Sequence, residues 1–191
     1  MKAIVTASCI LFLLLPVAAE AERADALKQV KVELGRFRFD NATQTTVATG
    51  KVVITRGTMV LKSERADVTE APDGYRRFIL IGTPDTLASF RVKSDGGSDL
   101  WSEGHAERIE YDERTDTVKL YSKAMIRQLE GGRVTHQMEQ AFIAYDSRNE
   151  VLLGQNDPSG ADLPSEGRGT LILEPHRPLA RTPAQGPVAK Q

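Results

Sequence analysis

The chain has 191 residues, 40% of them apolar and 27% charged, and its 25 Lys and Arg nearly balance its 26 Asp and Glu for a net charge of −1. That length holds one domain with an appended tail, in a composition ordinary for a globular protein. The charge balance lacks the electrostatic footprint of a nucleic-acid binder or a polybasic membrane anchor.

The N-terminus opens with Met1-Lys2, continues as an apolar run over residues 3–15, breaks at Pro16 and offers small residues at Ala19 and Ala21. This is the layout of a secretory signal over residues 1–21, cut after Ala21. The run is shorter than the roughly 20 residues a membrane span needs. Cys9, the single cysteine, falls inside it. The mature chain is therefore expected to be exported without any disulfide.

Strand-like segments then follow one another. "QVKVEL" places Val30, Val32 and Leu34 on one side; after Gly35 the parity flips to Phe37 and Phe39, which predicts a bulge. "KVVIT" and "TMVLKS" read as a hairpin around Arg56-Gly57. "YRRFILIG" is dense enough to predict a strand covered on both faces. "LASFRVK" precedes the turn "SDGGSD"; "HAERIEYD", "DTVKLYS" and "AMIRQL" continue the pattern. "LEGGRVT" turns at Gly131-Gly132, and "QAFIAYD" and "EVLLG" close the main region. Short helices are the alternative reading for "ERADALKQV" and "VTHQMEQAFIAY". Strands recurring about every ten residues predict an all-β sandwich, barrel or stacked roll.

The chain also repeats itself. "FDNATQTTVATGKVVI" aligns without gaps on "YDERTDTVKLYSKAMI", pairing Asp40 with Asp112, Thr43 with Thr115, Lys51 with Lys123 and Ile54 with Ile126. "YDSRNEVLL" starts a weaker third copy. Repeats of a supersecondary unit predict stacked hairpins around one apolar interior. Asp40, Asp112 and Asp146, each after an aromatic residue, read as turn caps.

Beyond Gly154 the composition shifts. Residues 155–169 read as a mobile loop, "TLILEP" (170–175) as a terminal strand stopped by a proline, and 176–191 as a disordered tail. His105, His136 and His176 make no metal template. No nucleophile elbow, phosphate loop or dinucleotide fingerprint occurs. No acid, base and nucleophile set assembles, so the chain reads as a non-enzyme without cofactor or metal.

Several local motifs stand out: the turn Thr49-Gly50-Lys51-Val52 before an alternating strand, Gly57 before the next strand, the Gly82-Thr83-Pro84 segment, the Glu103-Gly104-His105-Ala106 stretch leading to Tyr111, and the second turn Tyr121-Ser122-Lys123-Ala124. Together they resemble the motifs of the periplasmic lipopolysaccharide-transport bridge family, the LptA (OstA-like) family. The likeness spans about Val30 to Gly154. Lys51 and Lys123 stand where the family has asparagine, Ser122 stands for a glycine, and Asp85-Thr86 intervene before "LASF".

The resemblance implies a slightly open β-jellyroll over residues 22–154, located in the periplasm, that binds the lipid A part of lipopolysaccharide. The expected lipid-facing set is Val30, Val32, Val52, Ile54, Met59, Leu61, Phe78, Leu80, Phe90, Ile109, Tyr111 and Ile126. Arg76-Arg77 are candidates for lipid phosphates, or a solvated strand face. The resemblance further implies edge-to-edge stacking with itself, with an inner-membrane LptC-type partner and with an outer-membrane LptD-type partner. Val30 and Val32 at one edge and Leu171, Ile172 and Leu173 at the other are the expected interface. Periodicity alone serves a closed structural β-domain equally well, and a membrane-anchored LptC-like member shares the fold, so both alternatives stay open here.

Overall fold

Apolar–polar alternation becomes antiparallel strand along nearly the whole domain. The computed structural model describes residues 25, 28–94, 99–149, 151–162 and 167–174. The expected signal (1–21), the tail (176–191) and part of the expected loop lie outside the described residues. The strands are β1 (Lys31–Glu33), β2 (Arg36–Asp40), β3 (Thr45–Arg56), β4 (Met59–Glu70), β5 (Arg76–Ile81), β6 (Ala88–Lys93), β7 (Leu100–Ala106), β8 (Arg108–Asp112), β9 (Thr117–Glu130), β10 (Arg133–Asp146), β11 (Val151–Gln155) and β12 (Thr170–Leu173).

Four long strands organise the rest. β3–β4 pairing slips between Thr49 and Val52, and β9–β10 pairing slips between Gln140 and Phe142. At these breaks the sheet folds over. One layer runs β2-β3-β4-β5-β8-β9-β10-β11 and the other β1-β3-β4-β6-β7-β9-β10-β12, with the long strands shared by both. The inner rows of both layers meet in a single apolar cluster. This is the jellyroll expected from the sequence.

The fold-over has a local cause. Gly50 (φ +85°) and Lys51 (φ +51°) sit at the first break, and Ser122 (φ +60°) and Lys123 (φ +52°) at the second, all in the left-handed region. Glycine reaches it freely and asparagine at small cost, whereas serine and lysine are strained there. The asparagine and glycine of the family pattern therefore suit this bend better than the residues present. Replacing Ser122→Gly together with Lys123→Asn should raise stability by about 1 kcal/mol, read as a higher midpoint in thermal unfolding.

The internal repeat is real in three dimensions. β2–β3 and β8–β9 are equivalent, and the residues that the alignment pairs share conformations: Gln44 and Asp116 both have positive φ, as do Lys51 and Lys123. Asp40 accepts from the amides of Ala42 and Thr43, Asp112 from those of Arg114 and Thr115, and Asp146 from that of Asn149. The carboxylates cap turns, as read.

Some expectations change. Gly35 is not in a bulge: β1 and β2 are separate strands on the two layers, because Gly35 crosses the fold-over and donates to Thr49 and Gly50 carbonyls. β5 is covered on one face only; Phe78 and Leu80 are buried, while Ile81 on the other face is exposed. The helical alternative over "VTHQMEQAFIAY" is replaced by β10, whose β-branched and aromatic residues pair along β9. Most of "ERADALKQV" lies outside the described residues.

Candidate functional site: an apolar interior with exposed ends

The inner faces of the strands meet in one apolar cluster. Val52, Ile54, Met59, Leu61, Phe78, Leu80, Phe90, Ile109, Tyr111 and Ile126 are all buried in the same cluster, and Val30 packs against it half-buried. Val32 points to the same side, opposite Ile54, but is 38% exposed because β1 is the last strand of its layer. The cluster also takes Ala48, Val118, Leu120, Ile143 and Tyr145, which the expected set omits. The alternation in "DTVKLYS" and "QAFIAYD" carried that signal. Ser102, fully buried beside them, bonds Ser94.

Both ends of the roll expose inward-facing apolar side chains. At one end Phe37 lies opposite Ala48 and Phe39 opposite Thr46, on the inner side, yet they are 64% and 51% exposed. At the other end Leu152 lies opposite Tyr145 and Leu171 opposite Met138; these and Leu173 are exposed as well. The sequence reading named one edge strand at each end. The structure has two, β1 and β2 against β11 and β12, because the chain contributes to both layers at each terminus. β2 and β11 were not expected as edges, although "EVLLG" was read as a strand; Phe37 and Phe39 in "RFRF" were the visible sign of β2.

The interior also holds a charged clasp. Arg56, at the tip of β3, reaches from one layer to the other and pairs through Nη1 with Glu113 Oε1 at 2.7 Å, beyond the end of β8. Their side chains are 8% and 6% exposed. Arg56 Nη2 donates to the Tyr111 hydroxyl (2.5 Å), which donates to Asp116 Oδ1 (2.9 Å). Burial first, and the Asp116 carboxylate second, push the Tyr111 phenol pKa far up, so it stays a proton donor. Glu113 Oε2 also accepts from the Arg76 amide at 2.8 Å and from its Nε. Arg77 pairs with Asp112 at 3.2 Å. The two arginines considered for lipid phosphates are therefore engaged by carboxylates.

Beside this clasp is a void of about 20 Å³ between Arg56, Met59, Phe90, Tyr111 and Tyr145, room for about one water. Asp25 borders it and accepts from the amide and hydroxyl of Thr58 on the β3–β4 turn. Among the described residues no group of His, Cys, Asp and Glu could hold a metal, and no helix is long and apolar enough to cross a membrane. What this arrangement can do is bury hydrocarbon.

A family profile described as "LptA/(LptD N-terminal domain) LPS transport protein" matches residues 31–150. The chain belongs to this family of transport proteins. Within it, the chain is similar to "Lipopolysaccharide export system protein LptA" of Escherichia coli K12, 26% identical over 152 residues that span 77% of this chain and 80% of that one. The LptA of Shigella flexneri matches to the same extent. Among solved structures it resembles LptH of Pseudomonas aeruginosa, described as the LptA homologous periplasmic component of the lipopolysaccharide transport device. That match has a TM-score of 0.67 at 20% identity, over 79% of this chain and 99% of LptH. The likeness to LptH confirms the fold. The family match covers β1 to β10, the strands that supply every buried member of the interior.

Proposed function

We propose that this protein works in the periplasm as a segment of a bridge that carries lipopolysaccharide from the inner to the outer membrane. The acyl chains of lipid A lie along its apolar interior and the phosphorylated sugars stay in water. One observation carries the reading: among the described residues a single apolar cluster fills the inside of the roll beside the Arg56–Glu113 pair, with inward-facing Phe37 and Phe39 exposed at one end and Leu152 and Leu171 at the other. Each lipid CH₂ kept from water is worth about 0.8 kcal/mol. A row of similar apolar side chains offers many alike contacts, which suits movement better than one deep pocket.

Exposed backbone edges at both ends are templates for further strands. They fit head-to-tail stacking of copies, with an LptC-type jellyroll at the inner membrane and an LptD-type jellyroll at the outer membrane taking the ends of the row by β-augmentation. No nucleotide-binding motif is present, so the direction of movement is set by an energy source elsewhere. Photocrosslinkers placed on the inner face, followed by blotting for lipopolysaccharide, test the reading. Export is tested separately: intact mass of the secreted protein should give a start near Glu22, and retention of residues 1–21 in a membrane fraction would favour the anchored LptC-like alternative.

A further inference from the structure

The interior is filled by its own side chains. Ile54, Leu61, Leu80, Ile109 and Leu120 are at most 1% exposed, and the void beside the clasp has room for about one water. An acyl chain needs many times that space, and a close-packed interior does not yield it piecemeal. Hydrocarbon can lie along this interior only if the two layers part.

The topology decides where they part. Each long strand bends midway, so that one half lies in each layer, and the left-handed residues Gly50-Lys51 and Ser122-Lys123 mark the closed side. The tips of the same strands form two lips on the opposite side. Gly57-Thr58 and Gly131-Gly132 turn on one lip, and the turns after β8 and β10 lie on the other. Arg56 stands on the first lip, and its partners Glu113 and Tyr111 stand on the second.

Arg56 can let go without stranding what it holds. Glu113 keeps the amide and Nε of Arg76, and the Tyr111 hydroxyl keeps Asp116. Asp25, at the same void, is tied to Thr58. The buried Nε of Arg56 already has no partner among the described residues. Arg56 is the last residue before its turn, so water reaches the guanidinium once the lips separate. Desolvation offsets most of the attraction in a buried ion pair. Parting the lips returns both charges to water and costs little, whereas deleting one of them with the lips shut strands the other. The pair also occurs once: in the internal repeat Arg56 aligns with Gln128 and Glu113 with Asn41, both neutral and exposed.

We propose that Arg56 is a latch: it holds the lips together, and the roll takes up hydrocarbon sideways by parting them about the bend, with Arg56 leaving Glu113 for water. This rests on the transport reading and deepens it, since cargo then enters along the open side, its sugars left between the lips, and need not thread in from an end.

Two variants move the latch in opposite directions. Arg56→Gln/Glu113→Asn copies the neutral pair of the repeat, strands no charge, and should speed the uptake of fluorescent lipopolysaccharide about threefold. Arg56→Cys/Glu113→Cys bridged by a short bis-maleimide should take up none in the time that the same variant, capped with N-ethylmaleimide, loads fully. The chain from Glu22 onward has no other cysteine. Circular dichroism checks the fold of each. Spin labels at Arg133→Cys and Arg148→Cys, exposed on opposite lips at the start of β10 and just past its end, should move apart when lipopolysaccharide is added. Should the bridged pair fail to fold, the label distance and the neutral pair decide the matter. Equal uptake by bridged and capped forms, an unchanged rate in the neutral pair, or lips that keep one distance with lipid bound would overturn the latch and leave the transport reading standing. A protein that takes up no lipopolysaccharide in any form would sink both.

Discussion

Glu113→Ala is expected to destabilise the domain by about 3–5 kcal/mol, because it leaves the Arg56 guanidinium buried with no carboxylate. Arg56 is held on both sides: by Glu113 in an ion pair of 2.7 Å, and by the Tyr111 hydroxyl, with its centre 5.5 Å from the Tyr111 ring. Removing Glu113 also frees the backbone amide of Arg76. A charge stranded in an apolar interior costs far more than the pair contributes. The double variant Arg56→Met/Glu113→Leu should therefore recover most of the loss, since apolar replacements of a buried pair are often neutral or stabilising. Urea denaturation of the three proteins at neutral pH checks both statements. A loss below about 1 kcal/mol for Glu113→Ala would mean that water reaches Arg56 freely.

Gly104→Ala should be as damaging for a different reason. A Cβ at Gly104 would lie 2.5 Å from the Met125 carbonyl oxygen and 2.7 Å from a ring carbon of Phe90. The first is backbone of the adjacent strand and cannot swing away. β7 and β9 would have to separate, where Gly104 pairs with Ile126. The cost should reach or exceed the upper end of the roughly 1–3 kcal/mol typical of overpacking, seen as a fall in the thermal midpoint, with lipid binding lost along with the packing of Phe90. Gly132→Ala, where a Cβ would meet nothing within 4 Å but φ is +77°, should lose only about 1 kcal/mol. If the two variants behaved alike, close approach at Gly104 would not be the cause.

What could be read in the sequence and what could not divide along a physical line. Alternation fixes which residues share a face, so the inner positions from Val52 to Ile126 were legible, as were the Asp40 and Asp112 turns. The repeat was legible because the bends at Lys51 and Lys123 impose the same backbone twice. The fold-over itself was hidden. A strand that crosses from one layer to the other keeps its alternation on both sides of the break, so β3 and β9 look like ordinary long strands. The parity flip at Gly35 was visible, but a bulge and a change of layer leave the same mark. The Arg56–Glu113 clasp could not be found, because its partners are joined only when the layers close, and each alone reads as a surface charge beside a turn.

The most direct test of the central claim places a photoreactive residue at single positions and blots for lipopolysaccharide after irradiation in cells. Inner positions Phe39, Leu61 and Phe90 should crosslink, and outer positions Lys62 and Arg91, next along the same strands, should not. A row used as a path should label at its end and its middle alike. Crosslinks absent from all three inner positions in a folded protein, or equally strong at Lys62 and Arg91, would contradict an interior that carries lipid and leave a closed core in its place.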